Sequence, residues 1–193
     1  AHDSANHESK VCGKKLIEVK LDGVRILTIV YPNGQVNQYS RNGKELVNFG
    51  HIKEQFEKVS TGLTEPWVFD GEIMSSSFQD LMKQVHRKSD VSAGDAVLHL
   101  FDIISLREFR EGRGEHRQID RSFTLNAWYE PLKEHMPNVA IVGQELVDLR
   151  EEAGQARFAE INKQAIEGGY EGIMIRDMSG VYEVDKRSKY LQK

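Results

Sequence analysis

Three apolar stretches of this chain end in charge. "KLDG" at Lys20–Gly23, "FDGE" at Phe69–Glu72 and "EG" at Glu171–Gly172 each set carboxylates beside glycine where an apolar run meets a turn. Glycine admits close backbone approach or a positive φ. Carboxylates that converge from strand ends recruit a hard divalent cation through oxygen ligands. Taken singly, each stretch also reads as a turn with solvated charges. "EVKLDGVR" at Glu18–Arg25 adds a lysine between apolar residues and an arginine five positions on. A lysine among carboxylates, arginines and a metal is a candidate covalent nucleophile. Such an amine attacks only in its neutral form. Burial and neighbouring cations favour that form in any lysine, and Arg25, Arg41 or a bound Mg2+ are the cations at hand. Asp22 acts the other way, so its part is to orient the amine or bind metal. Attack on phosphorus would give a phosphoramidate, with metal and arginines meeting the charge that develops on the phosphate oxygens.

The elements that must position these groups are legible from periodicity. "KLIEVK" (Lys15–Lys20) alternates as a half-buried strand does. "RILTIVY" follows the Asp22-Gly23 turn, which read by itself is a solvated hairpin. "PNG" at Pro32–Gly34 signals a hairpin with "QVNQYS" as its return strand. Phe49–Ser60 carries Ile52, Phe56 and Val59 at helical spacing. Trp67–Ser75 reads as a strand, Phe78–Lys88 as a helix and Ala96–Ile104 as a buried strand. Gln118–Met136 reads as helical, with Pro131 a kink or boundary. "NVAIVGQELV" (Asn138–Val147) is strand-like. Glu151–Gly169 is a helix that stops at a glycine pair, and "EGIMIRD" (Glu171–Asp177) is a short apolar strand. Hairpins, helices and returning strands mix without regular alternation. The expected class is α+β, with antiparallel-rich sheets flanked by helices. Neither a Walker loop nor "GxGxxG" occurs, so neither common phosphate loop is available.

Composition narrows the function classes. The 193 residues suffice for one domain with a real core, expected over residues 15–193 after a polar segment at 1–14. No apolar run approaches membrane-spanning length. The formal net charge of −4 is not that of a chain whose whole surface grips nucleic acid. Cys12, the only cysteine, makes neither an intrachain disulfide nor a thiolate zinc cluster, and an intracellular setting follows. The seven histidines form no ligand-spaced pair, so they are expected at surface or satisfied positions.

The charged strand ends, taken together, match a family. "KLDGVR" at Lys20–Arg25 resembles motif I, KxDGxR, of the covalent nucleotidyltransferases. "SRNG" at Ser40–Gly43, "FDGE" at Phe69–Glu72, "LFDII" at Leu100–Ile104, "EGIMIRD" at Glu171–Asp177 and "KRSKYLQK" at Lys186–Lys193 resemble its following motifs, in order. A lone KxDGxR is weak; six motifs in order are specific. The chain resembles the adenylation domain of ATP-dependent DNA ligases, similar to those of phages and eukaryotes, an ATP-grasp-like nucleotidyltransferase fold.

The resemblance implies roles. Lys20 attacks the α-phosphate of ATP, releases pyrophosphate and keeps AMP on its ε-nitrogen. Glu18 lies near the adenine amino group, on the same strand face as Lys20 by alternation, and Val19 between them is placed at the nucleotide. Arg25 contacts the ribose or phosphate side. Arg41 touches phosphate, of the nucleotide or of a nick's 5′ end. Glu72 binds the ribose hydroxyls or assists metal, and Phe101 stacks on adenine, with plain core packing the alternative. Glu171, with Glu72, serves Mg2+ or Mn2+. Arg176 stands where many ligases have lysine. Arg187 approaches the nucleotide, and Lys193 falls on the first lysine of a K-x-K pair. Nicked double-stranded DNA is the implied partner of a monomer, with "HRKSD" at His86–Asp90 a candidate DNA-facing stretch. Neither an OB-fold domain nor the second lysine of the pair falls within these residues, so an OB-fold domain in cis is implied. An mRNA-capping guanylyltransferase, an RNA ligase and an inactive nucleic-acid-binding relative remain as alternatives.

Overall fold

A computed structural model describes residues 11–75, 94–186, 188 and 190–193. The helix expected at Phe78–Lys88, the stretch His86–Asp90 and Arg187 lie outside the described residues. The strands in chain order are β1 (Lys14–Val19), β2 (Val24–Val30), β3 (Val36–Ser40), β4 (Trp67–Met74), β5 (Val97–Ser105), β6 (Arg113–Arg117), β7 (Val139–Ile141), β8 (Glu145–Asp148), β9 (Ile173–Asp177), β10 (Val181–Glu183) and β11 (Leu191–Gln192). The helices are α1 (Gly50–Val59), α2 (Leu106–Glu111), α3 (Gln118–Tyr129) and α4 (Glu152–Glu167). Among the described residues no helix is long and apolar enough to cross a membrane.

Within what the sequence reads as one domain, the chain forms two compact units. The first holds the described residues through Leu21, then Gly112–Asp120 and Val142–Lys193. Its main sheet has the order β11-β9-β1-β8, antiparallel throughout, and β6 pairs with β10 in a separate ribbon. Ile17 of β1 sits opposite Ile175 of β9, and Val19 opposite Ile173. These residues, with Val147 of β8, present an apolar face. The α4 residues Phe158, Ile161 and Ala165 cover it, spaced along one side of the helix. The helix stops where the sequence predicts, at Gly168-Gly169.

The second unit holds Asp22–Glu111 and Arg121–Ile141. Its five-stranded sheet has the order β3-β2-β4-β5-β7, antiparallel except for β5 beside β7. Ile26 and Val30 of β2, Phe69 and Ile73 of β4, and Leu98 and Leu100 of β5 form one buried face. Ile52 and Phe56 of α1, one helical turn apart, and Leu125 of α3 pack into it. Phe69 lies at its centre, 5.3 Å from the Phe56 ring and 4.5 Å from Trp128 between centroids. Helix α3 ends at Tyr129, two residues before Pro131, so the proline marks a boundary rather than a kink, and the helical reading to Met136 is cut short, with only a short 3-10 turn at Lys133–His135 beyond it.

Two readings of the chain are corrected. β1 and β2 do not pair across Asp22-Gly23, because each is hydrogen-bonded into a different sheet. The hairpin reading of that turn therefore fails. Asn138–Val147 is two strands, not one. β7 extends the second unit's sheet, and β8 the first's. Local alternation cannot distinguish these outcomes, because both halves alternate correctly for the sheet each one joins.

Candidate active site

In the first unit, strand parity decides which residues face away from α4. The Ile17–Ile175 pair faces the helix, so the flanking pairs Leu16–Arg176 and Glu18–Met174 face the other way. Arg176 therefore reaches Glu18 along the diagonal between neighbouring strands. Its Nε and Nη2 both donate to Glu18 Oε1, at 2.8 and 2.7 Å. Gln144, in the segment before β8, donates from Nε2 to Glu18 Oε2 at 2.6 Å. Gln118 Oε1 accepts from Arg176 Nη1 at 3.4 Å. Glu18 is 3 % exposed and Arg176 8 %, so this is a buried, charge-assisted network.

Lys20 follows β1 directly, and its backbone N–H donates to Gly172 O at 2.9 Å. That bond fixes the residue beside the turn that opens β9. Its side chain pairs with the Glu171 carboxylate, and both remain open to solvent, at 28 % and 50 % exposure. At the other end of the same strand pair, Lys15 lies 3.5 Å from Asp177. Burial alone would push the Asp177 carboxyl up. Hydrogen bonds from Ser179 and the Lys15 ammonium outweigh that and hold it below its ordinary range.

The second unit repeats the device. β2, β4 and β5 bring Arg25, Glu72 and His99 into one line across three strands. These lie on the face opposite Phe69 and Ile73, which belong to the core. Arg25 again reaches diagonally, past Glu72 to Asp70. Its Nε donates to Oδ1 at 2.9 Å and its Nη2 to Oδ2 at 2.6 Å. Burial lowers the His99 imidazole below its ordinary value, which favours the neutral ring beside Glu72. The Gly23 N–H donates to Glu72 Oε1 at 3.2 Å. A Cβ at Gly23 would stand 2.1 Å from the Ile73 carbonyl oxygen, so only glycine lets the chain pass β4 this closely.

Phe101 occupies a bulge. Asp70 pairs with Asp102 and Gly71 with Leu100, so the register shifts by one residue at Phe101. A bulge re-aims the side chain it carries. Leu100 and Asp102 on either side are buried, whereas Phe101 is partly exposed. Arg41 is exposed in the turn after β3. There the Gly43 N–H donates to Ser40 O at 2.9 Å, with Gly43 at φ +77°.

The expected residues thus fall into separate groups. Glu18, Val19, Lys20, Glu171, Arg176 and Lys193 lie in the first unit; Arg25, Arg41, Glu72 and Phe101 lie in the second. The unit boundary passes through motif I, between Leu21 and Asp22. Val19 packs against the first unit's core. Lys193 is exposed just beyond β11. Arg176, expected at the nucleotide, has its guanidinium fork on Glu18. Among the described residues no group of three or more His, Cys, Asp or Glu side chains gathers as a metal cluster. Mg2+ seldom needs one, since it is commonly held by one or two carboxylates plus substrate phosphates. The solvent-open Glu171 carboxylate fits such a site. The sequence did not single out Gln144 or His99, and it marked Asp70 only as part of FDGE. Asp70 and His99 were reachable from strand parity once the β2-β4-β5 order was known; nothing local marks Gln144.

The chain is similar to the DNA ligase of Halobacterium salinarum, 28% identical over 184 residues that cover 90% of this chain and 31% of that protein. It is also similar to the DNA ligase of Methanopyrus kandleri, 26% identical over 205 residues that cover 96% and 33%. The solved structure named "Pmar-Lig_Pre." superposes with a TM-score of 0.94 at 49% identity, over all of this chain and 45% of that one. The ATP-dependent DNA ligase from bacteriophage T7 shares the fold, with a TM-score of 0.69 at 18% identity over 94% of this chain and 61% of that one. The chain therefore spans about a third of the length of these curated relatives. The family model for the ATP dependent DNA ligase domain matches residues 3–193, and the chain belongs to that family.

Proposed function

We propose that this chain is the adenylating core of an ATP-dependent DNA ligase. The observation that carries the reading is Lys20, held at the end of β1 against Glu171 in a chain of this family. In the proposed reaction the Lys20 amine gives up a proton and its Nζ bonds to the α-phosphorus of ATP. The bond from that phosphorus to the bridging oxygen breaks, and pyrophosphate leaves. The resulting lysyl-AMP is the donor that activates the 5′-phosphate at a DNA nick. Glu18 reads the adenine amino group, Arg25 meets the ribose or phosphate, Glu72 the ribose hydroxyls, Phe101 stacks on the base, Arg187 approaches the nucleotide, and Arg41 and Lys193 meet phosphate. Glu171, with Glu72, would hold Mg2+ or Mn2+, which supplies charge neutralisation at the phosphates when bound. The proposed partners are nicked duplex DNA and an OB-fold domain in cis, with the protein a monomer in an intracellular setting.

Intact-mass measurement after incubation with ATP and Mg2+ tests the reading. The expected result is an added mass of one AMP that disappears in Lys20→Ala. Labelling by GTP alone would replace the ligase reading with a capping guanylyltransferase. Absence of any adduct, also with an OB-fold domain added in trans, would leave only a binding role.

A further inference from the structure

We infer that Gln144 and Arg176 are positioning residues that set base selectivity, by leaving Glu18 a single acceptor site for a donor on the base. The inference rests on the adenylating reading above. A carboxylate offers about four lone-pair sites. Arg176 Nε and Nη2 fill two on Oε1, and Gln144 Nε2 fills one on Oε2. One site on Oε2 remains. Glu18 is buried, so no bulk water competes freely for that site, and the fork on Oε1 prevents the carboxylate from rotating to offer another. A group arriving there must bring a proton. An adenine amino group does so. A 6-keto purine brings a carbonyl oxygen, which sets lone pair against lone pair and leaves buried acceptors unpaired.

Charge alone does not produce this arrangement. A lysine at position 176 would keep a cation near Glu18 but could not span Oε1 with two fixed donors. The two polar partners also come from different directions, Arg176 from the paired strand β9 and Gln144 from the segment before β8. Selectivity on this account depends on the direction of one lone pair, and either partner's loss frees it.

Equilibrium binding of AMP and IMP to the whole chain, by titration calorimetry, tests the inference. These ligands differ at the 6-position, amino against keto, with a proton on N1 of IMP. The wild-type chain is expected to favour AMP by at least about tenfold. In Gln144→Ala and in Arg176→Gln, AMP affinity should fall about tenfold while IMP affinity changes by less than about twofold, so the preference collapses. Gln144→Ala removes one amide from a partly exposed segment and should leave the thermal midpoint near wild type, which separates orientation from folding. In adduct formation the same variant should raise KM for ATP with little change in the rate at saturation. If the wild type prefers AMP and both variants keep that preference, the inference is overturned and the adenylating reading stands. If the wild type binds neither nucleotide, the adenylating reading fails and the inference falls with it.

Discussion

At the scale of single residues, each unit sets a guanidinium fork on a buried carboxylate beside its candidate site residues. Glu18–Arg176 does this beside Lys20, and Arg25–Asp70 beside Glu72. Both carboxylates are buried, and the pairs differ only in the exposure of the arginine, which sets how readily water can replace it. Breaking a buried pair strands its remaining charge and costs about 3–5 kcal/mol. Arg176→Ala should therefore lower unfolding free energy by about that amount in urea titration. The Arg25 side chain is 43 % exposed, so water can follow the vacated space. Arg25→Ala should destabilise less than Arg176→Ala; the reverse order would mean that the forks are not what stabilises these faces. The sequence singled out Glu18, Arg25 and Arg176 and the FDGE that contains Asp70. It could not say which acid takes which arginine, because a diagonal contact depends on strand register.

At the scale of elements, the close passage of Gly23 against β4 explains why motif I needs its glycine. In Gly23→Ala the new methyl would meet the Ile73 backbone oxygen, and backbone cannot step aside as a flexible side chain can. A loss of at least about 1–3 kcal/mol is expected, read as a lower urea midpoint at unchanged slope. On β8, hydrogen bonds from Arg150 hold the Asp148 carboxyl down to about 2, against an ordinary 3.8. A depressed carboxyl stabilises the fold above its unfolded pKa, and that contribution is lost as pH falls through the folded value. Thermal midpoints of wild type and Asp148→Asn should thus differ at neutral pH and converge as pH falls from about 4 toward 2. A constant gap across that range would assign the effect to packing.

At the scale of the whole molecule, the chain accounts for about a third of its curated relatives' length. Its net charge of −4 gives little general attraction for DNA. On the proposed reading, Lys20 should accept AMP faster than this chain alone seals a labelled nick, and an OB-fold domain supplied in trans should raise sealing. Robust sealing by the chain alone would remove any need for that domain. Family, class and motif order are all legible in the linear sequence, because each motif is a short run of specific residue types.

What the sequence determined by itself was the set of candidate site residues and the elements that carry them: Lys20 directly after β1, Glu72 on β4, Glu171 before β9, and helices at Gly50–Val59 and Glu152–Glu167. Local periodicity and turn chemistry suffice for that, since they act over a few residues. Tertiary structure alone decided that motif I crosses from one sheet to another, and that Asn138–Val147 divides between two sheets. It also decided that Arg176 turns onto Glu18 and that Gln144 joins them. These outcomes depend on pairing between residues up to 158 positions apart. Alternation fixes which residues share a face, but the neighbour across that face is set by register and strand order, which no local pattern encodes.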